Sequence, residues 1–183
     1  MFTGSELAAM ITDVFQLHQD FPKKPQNAFR KFDGITPYGV HPTFLAMMIL
    51  QEDTMEENDR IRRAKALLGH DLKEDATAPM PEWCKDLEVM ALIDGLTFTE
   101  EQDPAVEMWN RGYEVILVKF YDNVANLMNT RMISPERIEQ RRENVLKHLA
   151  WVESRHPQLE IVKIAKGLLG PACIGHKSLE ICD

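Results

Sequence analysis

Arg60-Ile61-Arg62-Arg63-Ala64-Lys65-Ala66-Leu67-Leu68-Gly69, running into His70-Asp71-Leu72-Lys73-Glu74-Asp75, is the stretch on which the reading of this chain turns. Its spacing predicts a helix over 60–74 with one apolar side, because residues three or four apart share a helical face. On that helix His70 lies over Glu74, and Asp71 lies over Glu74 and Asp75. An adjacent His-Asp pair offers an imidazole nitrogen and a carboxylate oxygen to one divalent ion. The acids one turn on can hold a water and take its proton. Taken alone, the same residues also describe a solvated helix end, so the rest of the chain has to decide.

The 183 residues suffice for one domain with a substantial core, and 44% of them are hydrophobic. A formal charge of -8 and a pI near 5.3 argue against a nucleic-acid or membrane-surface partner, whose footprint is basic. No apolar run reaches the roughly 18 residues of a transmembrane helix. Met1-Phe2-Thr3-Gly4-Ser5-Glu6 lacks the basic start and apolar stretch of a signal peptide. Cys84, Cys173 and Cys182 are odd in number and widely spaced, which predicts reduced thiols in a cytoplasm. Cys173, His176 and Cys182 match no common zinc-finger spacing. Nothing in the sequence fixes the oligomeric state; a homodimer is compatible with it.

Strand signals are scarce and helical periodicity recurs, so the chain reads as all-α in a single domain over 1–183, with a loosely ordered tail from about 170. Helices are predicted over 4–19 and, briefly, 26–32. Apolar Leu7, Met10, Ile11, Val14 and Phe15 share a side of the first with His18, which is read as a surface or helix-end residue. The second helix ends in a structured loop, Arg30 to Pro42, marked by its Gly and Pro content. Pro42 then sits in the first turn of a helix over 42–52 that should be buried through Phe44, Leu45, Met48, Ile49 and Leu50. An acidic linker, 53–59, precedes the central stretch. Further helices are expected over 82–93, from Pro104 to about Asn129, from the Ser134 cap to about Arg155, and over 158–168. Asp94-Gly95-Leu96-Thr97 reads as a turn and Phe98 to Asp103 as an acidic loop. Asp122 sits among so many apolar residues that its burial requires a partner or a metal, and Asn126 shares its face.

In order along the chain, His41 at a helix start, the pair His70-Asp71, and Asp122 resemble the HD superfamily of metal-dependent phosphohydrolases. Within it, Arg30-Lys31, Gly34, Pro37-Tyr38 and His41-Pro42 resemble the RK…G-x-PY-x-x-HP signature of RelA/SpoT-type alarmone hydrolases. His70-Asp71-Leu72-Lys73-Glu74-Asp75 is similar to their HD-x-x-ED, Asp94-Gly95-Leu96-Thr97 to their DGVT, and Val118-Lys119 through Asp122 and Asn126 to their VKLAD-x-x-x-N. The matches span about 20–150. Ala76 and Asn129 replace family threonines, and Glu100 to Asp103 is acidic where relatives carry a basic loop.

The resemblance implies an HD-domain helical bundle and a stand-alone small alarmone hydrolase that removes the 3′-pyrophosphate of ppGpp and pppGpp. It implies His41, His70, Asp71 and Asp122 as ligands of one divalent ion, manganese first, with Fe, Co, Ni or Zn compatible with the same donors. Glu74 and Asp75 would activate the attacking water. Arg30, Lys31, Asn126, Tyr38 and Arg111 would meet the nucleotide; Tyr121 shapes the pocket or packs, and Arg141 and Arg142 read as a surface face. Other readings keep the metal and change the substrate to an adenine alarmone, a dNTP or NADPH, or make the chain a non-catalytic, antitoxin-like binding protein.

Overall fold

Thr3 opens the first helix with a reciprocal cap: its side chain accepts from the Glu6 N–H at 3.2 Å, and the Glu6 carboxylate accepts from the Thr3 N–H at 2.7 Å. The computed structural model describes residues 2–31, 33–98, 101–102, 104–130 and 132–170, with the backbone alone for 104–106. The tail residues Cys173, His176 and Cys182, and Glu100 and Asp103 of the acidic stretch, lie outside the described residues.

The fold is all-α. Helix α1 spans Gly4–Asp20, α2 Val40–Leu50, α3 Glu57–Gly69, α4 Leu72–Asp75, α5 Leu87–Leu96, α6 Pro104–Asn110, α7 Tyr113–Met128, α8 Pro135–Arg155 and α9 Glu160–Leu169. Short 3-10 turns occupy Pro25–Ala28 and Glu82–Cys84. Isolated bridges join Pro22 to Ala76 and Phe29 to Pro37. Among the described residues no helix is long and apolar enough to cross a membrane.

Several boundaries differ from the periodicity. The predicted helix 60–74 is two: α3 ends at Gly69, and Asp71 stands as N-cap of the single turn α4. Its start is earlier, because Glu57 and Asp59 belong to the first turn of α3, where carboxylates favour the helix dipole. The segment 82–93 divides at Asp86, whose carboxylate caps Glu88 and Val89 at 2.9 and 3.2 Å. Asp94, Gly95 and Leu96 are then the last turn of α5 rather than a free turn. The long helix from Pro104 breaks at Gly112, whose φ of 85° and ψ of 167° suit only glycine. The helix expected over 26–32 is only the turn at Pro25–Ala28.

The core runs through Leu45 and Ile49 of α2, Leu67 and Leu68 of α3, Ile93 of α5, Leu117 and Phe120 of α7, and Ile161 of α9. Helix α2 packs chiefly on α3, and α7 on α8. Buried Arg63 ties α3 to α7 through a two-pronged pair with Glu114, both contacts 2.8 Å. The burial expected of α2 holds for Leu45 and Ile49, whereas Phe44 is 37% exposed.

Candidate metal centre

Three chain segments meet at one buried point. His41 enters from the first turn of α2, His70 and Asp71 from the α3–α4 junction, and Asp122 from the middle of α7. Gly69 lets the end of α3 pack tightly on the Glu82–Cys84 turn and α5: a Cβ there would lie 2.7 Å from Cys84 Sγ and 3.0 Å from Ile93 Cδ1. The ligating atoms of His41, His70 and Asp71 all lie within 4.8 Å of one another. Asp122 joins from the side through His41, whose Nε2 is 2.9 Å from Asp122 Oδ1.

Hydrogen bonds fix each group. His70 Nδ1–H donates to the Leu67 carbonyl at 2.8 Å, which aims Nε2 toward Asp71 Oδ2 at 3.0 Å. Tyr38 donates to the same Asp71 oxygen at 2.9 Å. Asp122 accepts from Asn126 Nδ2 at 2.7 Å and from Lys119 Nζ at 2.7 Å. The face shared by Asp122 and Asn126 is therefore as the spacing predicts. The partner required by Asp122, 5% exposed, is supplied by Lys119, His41 and Asn126 together. His41 Nδ1 is buried and has no hydrogen-bond partner among the described residues.

The charges are arranged in opposed pairs. Burial works against the His70 imidazolium, but the adjoining Asp71 carboxylate outweighs it and holds the group up at about 9. Burial likewise opposes ionisation of Asp71 and Asp122, yet His70 beside the first and Lys119 beside the second hold both below the usual carboxylate range. His41 goes the other way, pushed down chiefly by burial. Desolvation, then the Asp71 charge, raises Glu74 and Asp75. These two stand at the rim: Glu74 Oε1 lies 3.4 Å from the Phe98 N–H, and Asp75 Oδ1 accepts from Asn27 Nδ2 at 2.6 Å. Two imidazoles with two or more carboxylates suit a borderline divalent ion, and the proton on His70 is what such an ion would displace.

Beside this centre Arg30 donates to Asn126 Oδ1 at 3.0 Å and lies over the Tyr38 ring at 5.2 Å. Both line a cleft of about 590 Å³ together with Lys31, Ser134, Arg137 and Arg141. Its described lining holds the cations Arg30, Lys31, Arg137 and Arg141 and no carboxylate, in a chain of net charge -8.

Some expected residues stand elsewhere. Arg111 is not at the cluster: Nη1 donates to the Gly95 and Thr97 carbonyls at 2.7 and 2.6 Å, and the guanidinium covers the Phe98 ring at 4.0 Å. It closes the C-terminus of α5, where a cation meets unpaired carbonyls. Tyr121 packs, fully buried, and donates to Glu52 at 2.7 Å. Arg141, read as surface, reaches into the cleft and bonds the Asn126 and Asn129 carbonyls. Arg142 meets the Leu169 carbonyl at 2.9 Å.

The sequence reading missed Arg137, Lys119 and His18. Arg137 carries no local signal, since only the packing of α8 turns it toward Arg30. Lys119 was legible as a cation three residues before Asp122. His18 is 1% exposed, stacked on Tyr38 with ring centroids 4.6 Å apart, which overturns its reading as a surface residue. Its place on the apolar side of α1, one turn after Val14, was the available signal. Compared with protein-family models, with curated proteins and with solved structures, this chain matches none, so the functional reading rests on its own residues and their geometry.

Proposed function

We propose that this chain is a metal-dependent phosphohydrolase of the HD type, and that its reaction is removal of the 3′-diphosphate of ppGpp and pppGpp. The observation that carries the proposal is the convergence of His41, His70 and Asp71 within 4.8 Å, with Asp122 bonded to His41. These residues would hold the ion, with Mn first among compatible metals. A divalent ion supplies Lewis acidity here, lowering the pKa of a bound water from 15.7 toward about 7 and offsetting phosphate charge.

The chain's own groups account for the remaining steps. Glu74, raised by desolvation and the Asp71 charge, is suited to take a proton from the attacking water at near-neutral pH. Asp75, fixed by Asn27, adds a second acceptor at the same rim. Tyr38 holds Asp71 in place, and Lys119 limits the repulsion between the carboxylates and an anionic substrate. Arg30 and Asn126, bonded to each other, stand between the ligands and the basic cleft. That cleft suits a substrate with phosphate groups beyond the one that reacts, as the 5′-phosphates of ppGpp and pppGpp are.

The test is a panel of ppGpp, its adenine counterpart, dGTP and NADPH, offered to chelator-treated protein with and without added Mn. Release of pyrophosphate from ppGpp only with metal, and its loss in Asp71→Asn, is expected. Turnover that persists in Asp71→Asn, or no turnover of any of the four, overturns the proposal.

A further inference from the structure

Arg30 is a wall between two hollows of opposite character. One is the basic cleft. The other encloses about 410 Å³ and is lined by Val40 and Phe44 of α2 and Met128 of α7, with His41, Thr36 and Asn129. Val40, Phe44 and Met128 are 43%, 37% and 42% exposed, so a patch of apolar surface faces water beside a buried metal-centre histidine. A helix as apolar as α2 normally buries its whole circumference.

We infer that this second hollow seats the purine base of the substrate, while its phosphates take the metal centre and the basic cleft. The inference rests on the phosphohydrolase reading and adds where the base goes. A ribose carries its base and its phosphates on separate arms, and three receptors surround the Arg30–Asn126 pair: the ligand cluster, the cationic cleft and the apolar hollow. Charge sorts the arms. Phosphates are drawn to Arg30, Lys31, Arg137 and Arg141, which leaves the planar, weakly hydrated ring for the hollow lined by Phe44 and Met128.

The polar rim of the hollow suits an exocyclic amino group. Asn129 Nδ2 donates to the Ala125 carbonyl at 3.0 Å, and Thr36 Oγ1 donates to Asp33 at 2.5 Å. With its one donor committed, the Thr36 hydroxyl offers an oxygen acceptor to a ligand, and Asn129 offers its Oδ1 as a second acceptor beside a remaining N–H.

The test is calorimetric binding of GMP, AMP and ribose 5-phosphate to the full chain in chelator, where no turnover occurs. Both nucleotides should bind about ten-fold more tightly than ribose 5-phosphate, given the worth of one stacked base. Phe44→Ser and, separately, Met128→Gln should bring the nucleotides to the level of ribose 5-phosphate without changing the latter. Arg137→Glu should weaken all three alike. A base preference that survives in the Met128 variant, one abolished instead by Lys31→Ala, or none in the unaltered chain, overturns the inference. Met128 stands at the exposed end of α7, so its variant decides if Phe44→Ser unfolds. Failure of the hydrolase reading would appear separately, as absent turnover with Mn while this binding preference stands.

Discussion

Two carboxylates are sunk in the same helical core and held in opposite ways. Glu52, 2% exposed, accepts from the Tyr121 hydroxyl at 2.7 Å and from the N–H groups of Glu160 and Ile161 at 2.8 and 3.0 Å. Its partners are a phenol and the first amides of α9, none of which ionises in the ordinary range. It is a cap for α9 contributed by a distant helix end. Asp122, one residue after Tyr121, is held by an imidazole, an ammonium and an amide, with His70 and Asp71 close by. Its partners can exchange protons or yield to a cation. Burial of a charge therefore does not by itself mark a functional site; exchangeable partners beside an opening do.

The sharpest way to break this contrast is to remove a proton acceptor at the rim. Glu74→Gln should lower kcat about 10³-fold, about 4 kcal/mol in barrier, while Mn affinity by titration stays near that of the unaltered chain. Normal hydrolysis by this variant would remove Glu74 from the chemistry.

At the structural carboxylate the effect should fall on stability instead. Glu52→Ala leaves a buried phenol and two amides without an acceptor, a loss of about 3 kcal/mol and roughly 6–12 °C in Tm. Mn affinity should not change. A variant that melts normally but loses metal would invert the comparison.

Acid should separate the two regions further. Burial holds His18 and His148 down at about 4, so between pH 6.5 and 4 the unfolded chain binds protons that the folded chain refuses. The stability these two rings contribute is full above pH 6.5 and falls as pH drops toward 4, by on the order of 3 kcal/mol per group once both states are protonated. Denaturant unfolding across that range should show the decline, and His18→Phe should reduce it. A flat profile in the unaltered chain would mean that these rings are not held neutral.

The smallest effect is expected at the α6–α7 break. Gly112→Ala forces a side chain into a backbone region open essentially to glycine, though among the described residues no atom beyond its chain neighbours lies within 4 Å of the added Cβ. The cost is about 2 kcal/mol of stability, read as a lower denaturation midpoint with unchanged slope.

Much of the site was readable as order along the chain. His70 and Asp71 were singled out by residue type and spacing and Asp122 by its apolar surroundings, while His41 joined them through the resemblance to HD phosphohydrolases; His41, His70 and Asp71 share one cluster and Asp122 is bonded to it. Asn126 beside Asp122 and the Ser134 cap followed from helical geometry, because both are local relations. The breaks at His70 and Gly112 were not readable, since apolar periodicity runs through both and only packing or a positive φ interrupts it. Arg111 was misplaced for the same reason: the C-terminal carbonyls it meets belong to α5, and nothing adjacent in sequence points to them.

Residue order alone determined an all-helical chain, the His70-Asp71 pair as a possible cation donor and Asp122 as a carboxylate in need of a partner, because periodicity and donor chemistry are properties of the residues themselves. Tertiary structure alone decided which carboxylate is a cap and which belongs to the centre, that Arg137 and Arg141 face Arg30, and that Phe44 is left in water beside His41. Those outcomes depend on how helices far apart in the chain are turned against one another, and that rotation is set by the packing of the whole core.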